Sequence, residues 1–141
     1  MRVLIDTSIF ISYLLTSNRQ SPIHAVVSAA LSPDVKLLMP GALLEELLLT
    51  ATKKPHLASS LSLESLQTLV EVLHEVAELI PAITDPIPRV TRDPKEDYLL
   101  AYAVVGQANY LIAGDRDLLT LDKVEQVAIV SPATFASLIR P

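Results

Sequence analysis

The apolar positions of this chain come in short runs separated by polar breaks. Residues 2–6, Arg-Val-Leu-Ile-Asp, form a brief run with β-branched residues, the pattern of a buried strand that ends at Asp6. Residues 8–15 then predict a helix and residues 16–21 a loop. Residues 22–31 predict a second helix, with Ser21 as N-cap and Pro22 at the first helical position. Residues 36–39 predict another strand, which Pro40 stops. Residues 41–51 predict a helix that is apolar nearly all round, hence buried, apart from Glu45 and Glu46. Lys53-Lys54-Pro55-His56 breaks it.

Leu63, Leu66, Val70, Leu73, Ala77 and Ile80 recur by threes and fours, with Glu64, Gln67, Glu71, Glu75 and Glu78 on the opposite side. The spacing predicts one amphipathic helix running to Ile80. Pro81, Pro86 and Pro88 make the following stretch an extended connection, and Asp93-Pro94-Lys95-Glu96 opens a helix that runs to about Gly106. Residues 110–113 and 128–130 predict strands, and residues 132–139 a closing helix capped by Ser131. No repeat, low-complexity tract or boundary interrupts the chain, so one domain is expected over residues 1–141. Short apolar strands alternating with helices imply a parallel sheet covered on both faces. Ligands of such sheets sit beyond the carboxyl ends of the strands. Asp6 and Asp115 fall on that edge.

Composition narrows the chemistry. Half of the 141 residues are apolar but only 4% are aromatic, and Trp is absent, so the core must be aliphatic. The absence of Cys excludes disulfides, zinc–thiolate sites and thiol nucleophiles, and fits a reducing cytoplasm, the location expected. No apolar stretch approaches the ~18 residues that span a bilayer. The N-terminal run is too short and too charged for a signal peptide, so no membrane association is expected.

The informative residues are five acids set in or beside apolar runs: Asp6, Glu46, Asp97, Asp115 and Asp117. A carboxylate leaving water needs a partner. Several gathered together repel one another, which makes a divalent cation their natural partner. All but Glu46 have an ordinary alternative. Asp6 is placed to cap a helix, although Thr7 and Ser8 cap equally well. Glu46 sits mid-helix, where neither cap nor turn accounts for it. It is taken as the inward acid, since Glu45 lies about 100° away around the helix. Asp93, Pro94 and Glu96 fit an N-cap, a first-position Pro and a capping box, so local structure alone explains Asp93. Asp97 follows in the first helical turn, where the helix dipole also favours an acid.

Asp115 and Asp117 flank Arg116 directly after a strand, in what is otherwise a charged turn. Arg116 is read as a surface counter-charge ahead of a phosphate ligand, and Tyr98 and Tyr102 as packing residues. His24 and His56 are isolated, and His74 belongs to a solvated helix face. Three glycines leave no phosphate loop. The net charge of −5 seems to disfavour nucleic acid. With the five acids set aside, however, eleven acids balance eleven Lys and Arg, so the charge does not decide the question.

Four motifs together resemble the PIN domain family, in particular the small toxins of VapBC-type toxin–antitoxin modules. They are Val3-Leu-Ile-Asp6-Thr-Ser, Pro40 with Glu46-Leu47, Arg92-Asp-Pro-Lys-Glu-Asp97-Tyr-Leu-Leu-Ala-Tyr-Ala, and Ala108-Asn-Tyr-Leu-Ile-Ala-Gly-Asp115-Arg-Asp117-Leu-Leu. Val130-Ser-Pro-Ala-Thr-Phe135 is similar to the family's last strand and helix. The resemblance implies a Rossmann-like, three-layer α/β/α fold with a central parallel sheet. It further implies a Mg²⁺- or Mn²⁺-dependent ribonuclease that hydrolyses RNA, with Asp6, Glu46, Asp97 and Asp115 as the catalytic metal-binding quartet and Asp117 as an auxiliary ligand. A homodimer and an inhibiting antitoxin protein are the partners it implies. Two positions depart from the family pattern: Ala113 replaces a usual Thr or Ser, and Ser8 a frequent Asn.

Ala113 keeps open an alternative, a PIN-like module that binds RNA or a protein without cutting. A phosphatase with Asp6 as nucleophile ranks below both, since it would want an acid where Ser8 stands.

Overall fold

In the computed structural model, which describes residues 1–53 and 62–139, six strands form one sheet. They are β1 (Arg2–Ile5), β2 (Lys36–Pro40), β3 (Glu78–Ile80), β4 (Tyr110–Ile112), β5 (Lys123–Val124) and β6 (Val127–Val130). The strand order is β3-β2-β1-β4-β6-β5. All neighbours pair in parallel except β5 with β6, so the sheet is mostly rather than wholly parallel.

Seven helices among the described residues flank it, giving three α/β/α layers: α1 (Thr7–Leu15), α2 (Pro22–Ala30), α3 (Gly41–Lys53), α4 (Leu63–Val76), α5 (Pro94–Val105), α6 (Arg116–Leu119) and α7 (Pro132–Ile139). The strands are buried because both faces are covered: Val3, Leu4, Ile5, Leu37, Leu38, Met39, Leu111 and Ile112 are all essentially inaccessible. Phe10 and Phe135 fill the space between sheet and helices. α7 packs on α2, and α3 on α4.

The helix starts follow from capping chemistry. Asp6, Ser21, Ser62, Asp93 and Asp115 each place a side-chain oxygen on a backbone N–H of the helix that follows. Ser131 does the same for Thr134.

Two expectations need correction. The amphipathic helix stops at Val76 instead of running to Ile80. Ala77 caps it, and residues 78–80 pair with residues 38–40 of β2. Ala77 and Ile80 continue the helical spacing by coincidence, since three residues are too few for a strand to declare its own period. The helix after Pro40 buries Leu43, Leu44 and Leu47, but Leu49 is 51% exposed, so α3 is not enclosed all round. Lys53, expected to open a breaker, is instead the last residue of α3, and the rest of that expected breaker, residues 54–56, lies outside the described residues. No helix among the described residues is long and apolar enough to cross a membrane.

The topology places the function. The chain moves outward from β1 through β2 to β3, then returns to the other side of β1 with β4. The strand order therefore reverses between β1 and β4. A crevice opens at such a switch point, beyond the carboxyl ends of the two strands.

Candidate metal centre

Asp6 and Asp115 flank that crevice. The backbone N–H of Asp6 donates to the Ile112 carbonyl at 3.0 Å, so the end of β1 is tied to the end of β4. The Asp6 carboxylate accepts from the Ser8 N–H at a long 3.3 Å, which leaves most of its capacity unused. Three residues beyond β4, Asp115 caps α6 and accepts from the Asp117 N–H at 2.7 Å. Glu46 reaches the crevice from α3, half-buried, while Glu45 stands in solvent as expected.

The crevice is a cavity of about 450 Å³ lined by Asp6, Glu46, Asp93, Lys95, Glu96 and Asp115 on its polar side. Leu43, Tyr98 and Leu99 form much of its apolar wall. Lys95, otherwise exposed, lies 3.8 Å from Glu46 and is the single cation among the described lining residues.

The acid that α5 contributes is Glu96. Only 7% exposed, it places a carboxylate oxygen in a group with those of Asp115 and Asp117, all within 4.8 Å of one another. Its Oε2 is buried with no hydrogen-bond partner among the described residues. Burial, then the charges of Asp115, Asp117, Asp93 and Asp6, push its pKa up to about 7. A buried carboxylate with an idle oxygen, surrounded by other carboxylates, is a costly arrangement for a chain by itself. It fits a divalent cation, for which hard, anionic oxygen ligands are the required donor set.

Asp97 does not enter this group, contrary to expectation. It is 2% exposed and turned to the other side of α5. There Oδ1 accepts from the N–H groups of Val90 and Thr91 at 3.0 and 2.7 Å, and Oδ2 from Nε of Arg89 at 3.1 Å. Burial would raise its pKa, but these donors outweigh burial and hold it below the usual aspartate value. The reason is helical phase. Asp97, Leu100, Ala101, Val104 and Val105 follow a helical stripe along a second cavity, one also lined by Ile83 and Ile87. Counting back three and seven residues from Leu99 and Ala103, both buried, reaches Glu96 instead. The same phase argument that separates Glu45 from Glu46 would have found it. The expected capping box does not form, because the N–H of Asp93 donates to Oγ1 of Thr91, which frees Glu96 to face the cavity.

Asp93 is the helix cap expected, accepting from the Lys95 N–H at 2.9 Å, and it lines the cavity as well. Tyr102 is buried and its hydroxyl accepts from the Ile83 N–H at 2.8 Å, a packing role as expected. Tyr98 departs from that reading in part, since it stacks against Tyr102 at 4.5 Å yet lines the acidic cavity. Ala113 is fully buried and does not line it. His24 packs against Tyr13, with ring centroids 4.6 Å apart.

Neither a curated protein nor a solved structure gives a match to this chain. The sequence model of the PIN domain matches residues 2–117, a span that holds β1, β4 and every acid of the cavity. The protein therefore belongs to the PIN domain family, a nuclease-type fold, and carries an acidic cluster suited to a metal ion.

Proposed function

We propose that the protein is a Mg²⁺- or Mn²⁺-dependent endoribonuclease whose site is the acidic cavity between β1 and β4. The observation that carries this reading is the buried, unpartnered carboxylate of Glu96, grouped with Asp115 and Asp117 beyond the strand ends. Asp6, Glu46, Glu96 and Asp115 would hold the ion, with Asp117 in support. Glu96 takes the place that the sequence motif suggested for Asp97. A divalent ion bound there supplies the charge that neutralises these acids and polarises a scissile phosphate.

The chain's own groups have separate tasks. Asp6 and Asp115 follow the paired strands β1 and β4 and bring acceptor oxygens to the crevice. Lys95, at the lip, offers a phosphate the positive charge it now shares loosely with Glu46. The apolar wall of Leu43, Tyr98 and Leu99 makes one side of the cavity less polar, which strengthens the electrostatic interactions beside it.

The decisive assay measures cleavage of labelled RNA with Mg²⁺ or Mn²⁺ by wild type, Asp6→Asn, Glu96→Gln and Asp115→Asn. Cleavage by wild type and a loss of at least about 100-fold in each variant is expected, as for charge-stabilising groups. RNA left intact by wild type, or cut equally by all four, would refute the reading. As a toxin of a VapBC-like module, the protein would arrest growth on expression and be relieved by a small neighbouring gene product. As a homodimer, it would scatter light with twice the 15.3 kDa mass of one chain.

A further inference from the structure

The geometry points to Asp97 as a positioning residue, the centre of a clasp that holds the first turn of α5 and so sets the metal affinity of the acidic site. This inference rests on the metal-centre reading above. Glu96 lies in the first turn of its helix, the part most prone to fray. Asp115 and Asp117 place carboxylate oxygens within 4.8 Å of that of Glu96, so without an ion the site repels the side chain this turn carries. Contacts that hold this turn in place against that repulsion lie away from the cavity.

The opposing contacts lie behind the helix. Asp97 grips residues 89–91 through Nε of Arg89 and the N–H groups of Val90 and Thr91. Thr91 in turn holds Asp93 twice: its Oγ1 accepts from the Asp93 N–H at 3.1 Å and donates to the Asp93 carbonyl at 2.9 Å. The Asp93 carbonyl also accepts from the N–H groups of Glu96 and Asp97, and its side chain from that of Lys95. The chain of bonds thus closes on itself, from Asp97 through Thr91 and Asp93 back to the turn that bears Glu96. The Asp97 carboxylate hydrogen-bonds none of the acids of the cluster, yet the path from it through Thr91 ends on Asp93, a residue of the cavity.

The test compares Mn²⁺ affinity, by calorimetry well below the melting temperature, for wild type, Asp97→Asn, Asp97→Ala, Thr91→Ala and Glu96→Gln. Asparagine keeps an acceptor for Val90 and Thr91, so Asp97→Asn should remain within about 3-fold of wild type. Asp97→Ala should lose about 10-fold or more, the scale seen when groups behind a metal ligand are removed. Should Asp97→Ala fail to fold, Thr91→Ala carries the test with a smaller loss, accompanied by faster amide exchange at residues 94–97. A purely structural role would lower the melting temperature while leaving the affinity of folded protein unchanged, and that result overturns the clasp. Loss of binding in Asp97→Asn as deep as in Glu96→Gln would make Asp97 a ligand, and also overturns it. If wild type binds no Mn²⁺, the metal-centre reading fails, and the clasp with it. If wild type binds and Asp97→Ala and Thr91→Ala bind equally well, the clasp alone fails.

Discussion

Two adjacent carboxylates on α5 show how much environment decides at the scale of one residue. Glu96 is raised by burial and by four like charges, while Asp97 is lowered by the donors around it. Their effects on stability have opposite signs. Free of metal, folded Glu96 keeps its proton up to about pH 7, against 4.5 for the ordinary carboxyl. Its contribution is therefore complete below pH 4.5 and is lost as pH rises through 7. Asp97 contributes above pH 3.8 and its share is lost only as pH falls through its lowered value.

Thermal melts in a chelator should accordingly show the melting temperature falling between pH 4.5 and 7.5. Glu96→Gln should flatten that slope, and a flat wild-type profile would contradict the assignment. Lys95 gives a second prediction at this scale. If it meets a phosphate, Lys95→Ala should reduce the salt dependence of single-stranded RNA binding by about 0.7 in log–log slope. Binding measured in Ca²⁺ over a salt series checks this, and an unchanged slope would remove Lys95 from the substrate.

Among the elements, the end of α5 is as constrained as its beginning. Gly106 closes the helix against the sheet, where an added Cβ would lie 2.8 Å from Ile80 Cδ1 and 3.2 Å from Leu38 Cδ1. The Gly106 carbonyl also accepts two hydrogen bonds from the guanidinium of Arg2, which pairs with Glu78 of β3. Gly106→Ala should destabilise the fold by about 1–3 kcal/mol through overpacking. Gly114→Ala, in open space and without a left-handed backbone, should stay within about 0.5 kcal/mol of wild type. Urea denaturation of the two variants checks the contrast, and equal costs would contradict it. β3 is one of the elements the sequence concealed, with β5 and the short α6. Its three residues extend a helical spacing, and only pairing with β2 reveals them as a strand.

For the molecule as a whole, the acids make stability depend on the ion. Binding to the folded state alone should stabilise the protein by ~2.7 kcal/mol at a hundredfold excess over Kd. A melting temperature that rises with Mn²⁺ in wild type but not in Glu96→Gln is the expected result. An equal rise in both would place the ion elsewhere. The sequence by itself determined the alternation of strands and helices, the aliphatic core, and the placement of Asp6 and Asp115 at strand ends. These follow from periodicity and capping, which act over a few neighbouring residues. Tertiary structure decided that the strand order reverses between β1 and β4, so that those two ends meet. It also decided that Glu96 faces the site while Asp97 faces away. Both acids sit in one helical turn with a cavity on either side of the helix, and the side each takes depends on what packs there: carboxylates from distant segments on one side, and the backbone of residues 89–91 on the other.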